Sequence, residues 1–133
     1  LFTDSIAPNY ITVGSTDCNG MAADFSNYGN KIVDLFSPGV AIYSTVPLKD
    51  KYMLLDGTSM ATPVVSGVAA LIRSYFPELT AVQVKQILEQ SVVKPIVKTI
   101  KPGSEEKVML SEISRGGGIV NAYEAVKLAY EWR

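Results

Sequence analysis

Histidine is missing altogether from the 133 residues, and cysteine occurs once. The first absence removes the side chain that most often moves protons near neutral pH. A hydroxyl nucleophile in this chain therefore has no such base within it. The second excludes an internal disulfide. Cys18 stands in the turn-like run Asp17-Cys18-Asn19-Gly20 with nothing basic beside it, which reads as a free loop thiol rather than a catalytic one. There is no excess of either charge: 12 Lys and Arg face 13 Asp and Glu, scattered, for a net −1. That balance speaks against a nucleic-acid partner and against a polybasic membrane patch. Long apolar runs are missing too. The uncharged stretch between Asp56 and Arg73 is about 16 residues against about 20 for a membrane span, and it contains Pro63 and Gly67. Apolar on every side yet too short to span, it reads as a core helix.

Hydrophobic residues make up 47% of the chain, enough for one domain with a real core. Two readings of that content stay open. One is a well-packed α/β core; the other is a set of apolar faces that expect more partner surface than this chain supplies. Leu1 is neither an initiator methionine nor the start of a signal peptide, so the chain is expected to begin inside something longer.

Short apolar runs separated by turn residues predict strands. Ile11 to Gly14 is the first, Ile32 to Phe36 the second, stopped by Ser37-Pro38-Gly39, and the run suits a strand buried on both faces. Val40 to Val46 and Tyr52 to Leu55 give two more, with Pro47 to Lys51 turning between them. A long helix is expected from Ser59 to about Phe76, with Pro63 in its opening turns and Pro77 closing it. Thr80 and Gln83 form a capping-box pattern for a second helix. Its apolar face is Ala81, Val84, Ile87, Leu88 and Ser91, leaving Gln83, Lys85, Gln86 and Glu89 to water. Residues 92–113 read as an exposed hairpin excursion about Pro102-Gly103, with its charges either solvated or part of a binding surface. Gly116-Gly117-Gly118 lacks the Lys-Ser/Thr of a phosphate loop and reads as a close-packed or flexible turn. A last helix, about Asn121 to Trp132, places Tyr123, Val126 and Tyr130 along one side.

The most informative segment is Gly57-Thr58-Ser59-Met60-Ala61-Thr62-Pro63, which runs into Val64-Val65-Ser66-Gly67-Val68-Ala69-Ala70-Leu71-Ile72. It sets a hydroxyl on the first turn of a buried helix, where N–H groups lack helical partners and the dipole favours negative charge. Such a place suits a serine whose carbonyl substrate must become an oxyanion. The plainer role is a helix-capping hydroxyl, but capping alone does not call for the flanking pattern.

The heptapeptide resembles the nucleophile motif of the subtilisin-like serine proteases, the subtilases, and the likeness runs along most of the chain. Pro8-Asn9-Tyr10-Ile11-Thr12-Val13-Gly14 is similar to the strand these enzymes place after their oxyanion-hole asparagine. Asp24-Phe25-Ser26-Asn27-Tyr28-Gly29 resembles their Phe-Ser-x-x-Gly loop. Asp34 to Ser44 is similar to Asp-x-x-Ala-Pro-Gly-x-x-Ile-x-Ser, with Ser37 in place of alanine. Gly116 to Ala122 resembles the closing Gly-x-Gly-x-x-Asn-Ala segment. Residues 92–113 depart from the pattern in length, and Val64 stands where many members carry a non-catalytic histidine.

The resemblance implies a three-layer α/β fold with a mainly parallel sheet, of which residues 1–133 are the C-terminal part. It implies Ser59 as acyl nucleophile and, through its own N–H, as one oxyanion donor, with Thr58 a hydroxyl near that hole. Met60 would pack behind the nucleophile; Phe25 and Leu55 would line the leaving-group side of the cleft, or else serve packing alone. Asp34 is not the triad carboxylate, since the family's aspartate lies far upstream; a weak cation site around it is one reading. No metal ligand and no cofactor is implied for this part, although a structural calcium or other cation belongs to the possibilities for the full-length protein. The implied partners are a polypeptide substrate and the remainder of the catalytic domain, with dimerisation of the isolated piece through unpaired strand edges. Family analogy alone implies an extracellular or periplasmic location.

Chain order gives the missing histidine meaning. In α/β-hydrolases the histidine follows the serine, and their G-x-S-x-G elbow has glycine where Ala61 stands; subtilases run aspartate, histidine, serine. Ser59-Met60-Ala61-Thr62 also lacks the lysine of S-x-x-K enzymes. The reading is a serine endopeptidase represented by its nucleophile-bearing half, inactive when isolated. Its rivals are a sedolisin-type acid peptidase, which uses glutamate as base, and a non-catalytic pseudoprotease domain.

Overall fold

Val13, Leu35 and Phe36 are buried apolar side chains, and in a computed structural model describing residues 7–47, 49 and 51–132 they sit in two adjacent strands. β1 (Val13–Thr16) pairs in parallel with β2 (Leu35–Pro38), in the register Val13 to Leu35 through Thr16 to Pro38. Both strands start two or three residues later than the hydrophobic pattern implies. Asp34 explains part of this: its carboxylate accepts the Thr12 N–H at 2.8 Å, and its own N–H donates to the Thr12 carbonyl at 2.9 Å. Ser15, Thr16 and Ser37, polar enough to look like turn residues, are buried inside the sheet instead. The 118–120 segment continues the pairing beyond β2, where Phe36 bridges Ile119 in parallel and Val93 bridges Ile119 antiparallel.

Two further pairs are antiparallel: β3 (Ile42–Thr45) with β4 (Tyr52–Leu55), and, after the first two helices, β5 (Thr99–Ile100) with β6 (Lys107–Val108). In the turn joining β3 to β4, Leu48 and Asp50 lie outside the described residues, as does Leu1.

α1 (Thr58–Tyr75) packs over β1 and β2 through Ala61, Val65, Val68 and Ile72. It ends as Phe76 donates its N–H to the Ile72 carbonyl at 2.9 Å, with Pro77 unable to continue. α2 (Ala81–Gln90) has the expected capping box: Thr80 Oγ1 accepts the Gln83 N–H at 3.3 Å, and Thr80 N–H donates to Gln83 Oε1 at 2.8 Å. Such a cap contributes about 1 kcal/mol. Val84, Ile87 and Leu88 join the same core, with Ala125 and Ala129 of α4 (Ala122–Glu131). Asn121 caps α4 by accepting the Glu124 N–H. Of the three residues expected along one side, Tyr123 and Tyr130 face water, while Val126 packs against the core with Ala125, Leu128, Ala129 and Trp132.

The opposite face of the sheet carries a second core. Val33 and Phe36 pack there against Val108, Leu110 and Ile113, the last two from the single turn α3 (Leu110–Ile113). Helices, strands and the 99–113 segment thus form three layers, the α/β architecture expected, with parallel pairing among the described residues confined to β1–β2 and the Phe36–Ile119 bridge. Gly118 lies so close to Val93 that a Cβ would strike its carbonyl, which favours close packing over flexibility for the triple glycine. No helix among the described residues is long and apolar enough to cross a membrane.

Candidate active site

Ser59 is exposed, the second residue of α1. The local backbone puts it there. Gly57 precedes the helix with φ 153°, a conformation that L side chains rarely adopt, and a Cβ on it would lie 3.0 Å from Ser59 Oγ. The turn is fastened from below, since Gly57 donates its N–H to the Gly39 carbonyl at 2.8 Å and Gly39 donates to the Thr16 carbonyl at 3.0 Å. The end of β2 therefore fixes the height at which the helix begins. Gly39 must be glycine for a reason of space: a Cβ there would meet Ser15 Oγ, the Gly57 carbonyl at 2.6 Å and Ala61 Cβ at 3.0 Å. A hydroxyl can rotate away, but that backbone carbonyl cannot. Gly39→Ala is expected to cost about 1–3 kcal/mol in urea unfolding, as overpacking does, and to displace the Ser59 turn.

No side chain caps α1, and no acidic residue occupies its first turn. Met60 and Ala61 donate to the Gly57 carbonyl, at 2.9 and 3.2 Å. Among the described residues no acceptor meets the Ser59 N–H, so it joins the orphan donors at the positive end of an 18-residue helix. Pro63, four residues on, has no N–H to offer the Ser59 carbonyl. Thr62 Oγ1 donates to the Thr58 carbonyl at 2.8 Å, and Thr58 and Met60 are half-buried on either side of Ser59. Leu55, half-buried, ends β4 just before the turn, and Phe25 is about half exposed in the 24–28 loop. The capping reading of Ser59 loses its footing here, because the N-cap is Gly57.

A second polar cluster lies away from this turn, and sequence reasoning missed its key member. Lys85, expected to face water, is 6% exposed. Its Nζ meets Asp34 Oδ1 at 3.1 Å and donates to the Tyr10 carbonyl at 2.6 Å. Arg115 Nη1 approaches the same Asp34 oxygen at 3.6 Å. The cations at Asp34 are thus a lysine and an arginine, which take the place that a metal-ion reading would give to an ion. The signal for Lys85 was a buried aspartate far away in sequence, invisible to helical periodicity.

Glu89 completes the cluster. Its Oε1 lies 3.8 Å from Lys85 Nζ and has no hydrogen-bond partner among the described residues. Burial first, then the neighbouring Asp34 carboxyl, holds the Glu89 carboxyl above its ordinary range, and Lys85 and Arg115 only partly pull it back. The folded protein thus takes up this proton at a pH where the unfolded chain has already lost it. The group's contribution is fully present below the ordinary carboxylate range and is lost as pH rises through that range to the raised value. Glu89→Gln is expected to raise the melting temperature at pH 7 and to give no gain in acid, in thermal scans across that interval.

Ser59 is thus an exposed hydroxyl at the start of a helix that buries one face and leaves the other in water, contrary to the fully buried helix expected, on a glycine turn clamped to the end of a parallel strand. The chain belongs to the subtilase family, whose model matches residues 3–118. It is 46% identical to subtilisin DY of Bacillus licheniformis over 81 residues, 61% of this chain and 29% of that protein. It is 39% identical to subtilisin-like protease 1 of Plasmodium vivax over 106 residues, 80% of this chain and 15% of that one. The solved structure of the patellamide maturation protease PatA superposes with a TM-score of 0.69 at 29% identity, covering 95% of this chain and 45% of that chain. The chain therefore spans less than a third of these curated relatives and less than half of this solved protease.

Proposed function

We propose that this chain is the C-terminal portion of a subtilase catalytic domain and supplies the nucleophile of a serine endopeptidase. The observation that carries the reading is the placement of Ser59: an exposed hydroxyl beside an unclaimed N–H at the start of α1. Ser59 Oγ attacks the peptide carbonyl and passes its proton to a base contributed by the upstream half of the domain. The carbonyl oxygen, now charged, takes the Ser59 N–H and the helix end as one side of its cradle. The amine leaves protonated, and water then releases the acyl group from Ser59. Thr58 steadies the turn, and Met60, Phe25 and Leu55 border the peptide. Its partners are the rest of its own domain and a polypeptide substrate, outside the cytoplasm by family analogy.

The isolated chain, lacking histidine, has no such base, and its serine is a weak nucleophile. An activated-serine probe such as a fluorophosphonate tests this. The chain alone is expected to stay unlabelled, and the complete protein to be labelled at Ser59. A complete, folded protein that takes no label at Ser59 would favour a pseudoprotease and end the proposal.

A further inference from the structure

The charge balance of the whole chain is not repeated in every short segment. Residues 93–100 contain Lys94 and Lys98, both exposed, and no acid. The same eight residues expose Val93, Ile96, Val97 and Ile100, with Ile96 at 93% and Val97 at 68%. Scattered apolar side chains on a surface need no account, but four within one short strap, interleaved with lysines, make a patch that does.

The strap is anchored rather than loose. At one end Val93 and Ile119 exchange N–H to carbonyl bonds, each 2.8 Å. At the other, Thr99 is buried and its Oγ1 accepts the Ala22 N–H at 2.8 Å, while Thr99–Ile100 pairs with β6. Ile96 and Val97 are therefore held outward at little further cost in order.

We propose that residues 93–100 form a peripheral binding site for a lipid surface bearing anionic headgroups. The chemistry favours lipid over a protein partner. Protein interfaces draw their affinity from aromatic and arginine anchors in pockets, and this strap has neither. Branched aliphatic side chains at a tip suit the acyl boundary, while lysine stems reach back to headgroup phosphates. With two lysines the attachment is reversible and weakens with salt.

Co-sedimentation with vesicles of phosphatidylcholine, pure or mixed with phosphatidylglycerol, tests the site without reading peptide hydrolysis. The complete protein is expected to partition several-fold more onto the anionic vesicles, less so in high salt. Ile96→Asp with Val97→Asp is expected to lower that partition about tenfold, with melting unchanged because both side chains are already in water. Lys94→Glu with Lys98→Glu is expected to lower it at least as much and serves independently should the first pair disturb folding. Equal partition onto both vesicles, binding that neither variant changes, or no binding at all overturns the proposal. So does retention on an immobilised acidic polypeptide with none on anionic vesicles, which would assign the strap to a protein partner.

Discussion

Ser59→Ala in the complete protein is expected to lower kcat for peptide hydrolysis by about 10⁴–10⁶-fold, a range taken from subtilisin-type triads. The melting temperature is expected to stay within about a degree, because Ser59 is exposed and caps nothing. KM is expected to change little, since the lost contact forms in the transition state. This combination separates a nucleophile from a structural hydroxyl, whose loss would appear as stability. Steady-state hydrolysis of a peptide substrate beside a thermal scan reads both. Retention of more than about a hundredth of the activity would place the acyl group elsewhere.

The second large effect concerns stability. Lys85→Ala is expected to cost about 3–5 kcal/mol, because it leaves Asp34, whose side chain is 4% exposed, without its closest cation. For a chain of this size that is a fall of roughly 10–20 °C in melting temperature. Arg115 cannot make good the loss, lying 3.6 Å from Asp34 with half its side chain in water. The double variant Asp34→Asn with Lys85→Met is expected to recover much of the deficit, since it removes both buried charges together. Urea denaturation of Asp34→Asn, Lys85→Met and the double closes the cycle. A Lys85→Ala protein that melts within about a degree or two of the parent would mean that water reaches Asp34.

The legible parts of this molecule were those specified by neighbours in sequence. β4 falls at Tyr52–Leu55 as read, α1 within a residue of its expected ends, and the Thr80–Gln83 cap as read. Apolar period and capping chemistry act within a few residues, so the chain announces them locally. The misplaced strand bounds have the opposite cause. Ser15, Thr16 and Ser37 look like loop residues, yet their backbones complete a ladder between distant segments. Lys85 was missed for the same reason, one of its partners being the Tyr10 carbonyl 75 positions earlier. The motif that carries Ser59 was readable because it is seven consecutive residues, whereas the Gly39 and Thr16 carbonyls that hold its turn come from far away in sequence. Histidine is absent from the sequence, so no pattern within it points to an imidazole base.

The Gly57 to Gly39 hydrogen bond has an architectural meaning beyond holding one turn. A second clasp, Ala41 N–H to Asp56 Oδ1 at 2.6 Å, sits just inside it. Everything from 40 to 56 is thereby a closed excursion, a ribbon whose two ends are already stitched together at its root. Its length is uncoupled from the position of Ser59. Residues can be added or removed at the tip for only about 0.6 kcal/mol per doubling of the loop, so the ribbon is free to diversify beside a serine that stays where it is.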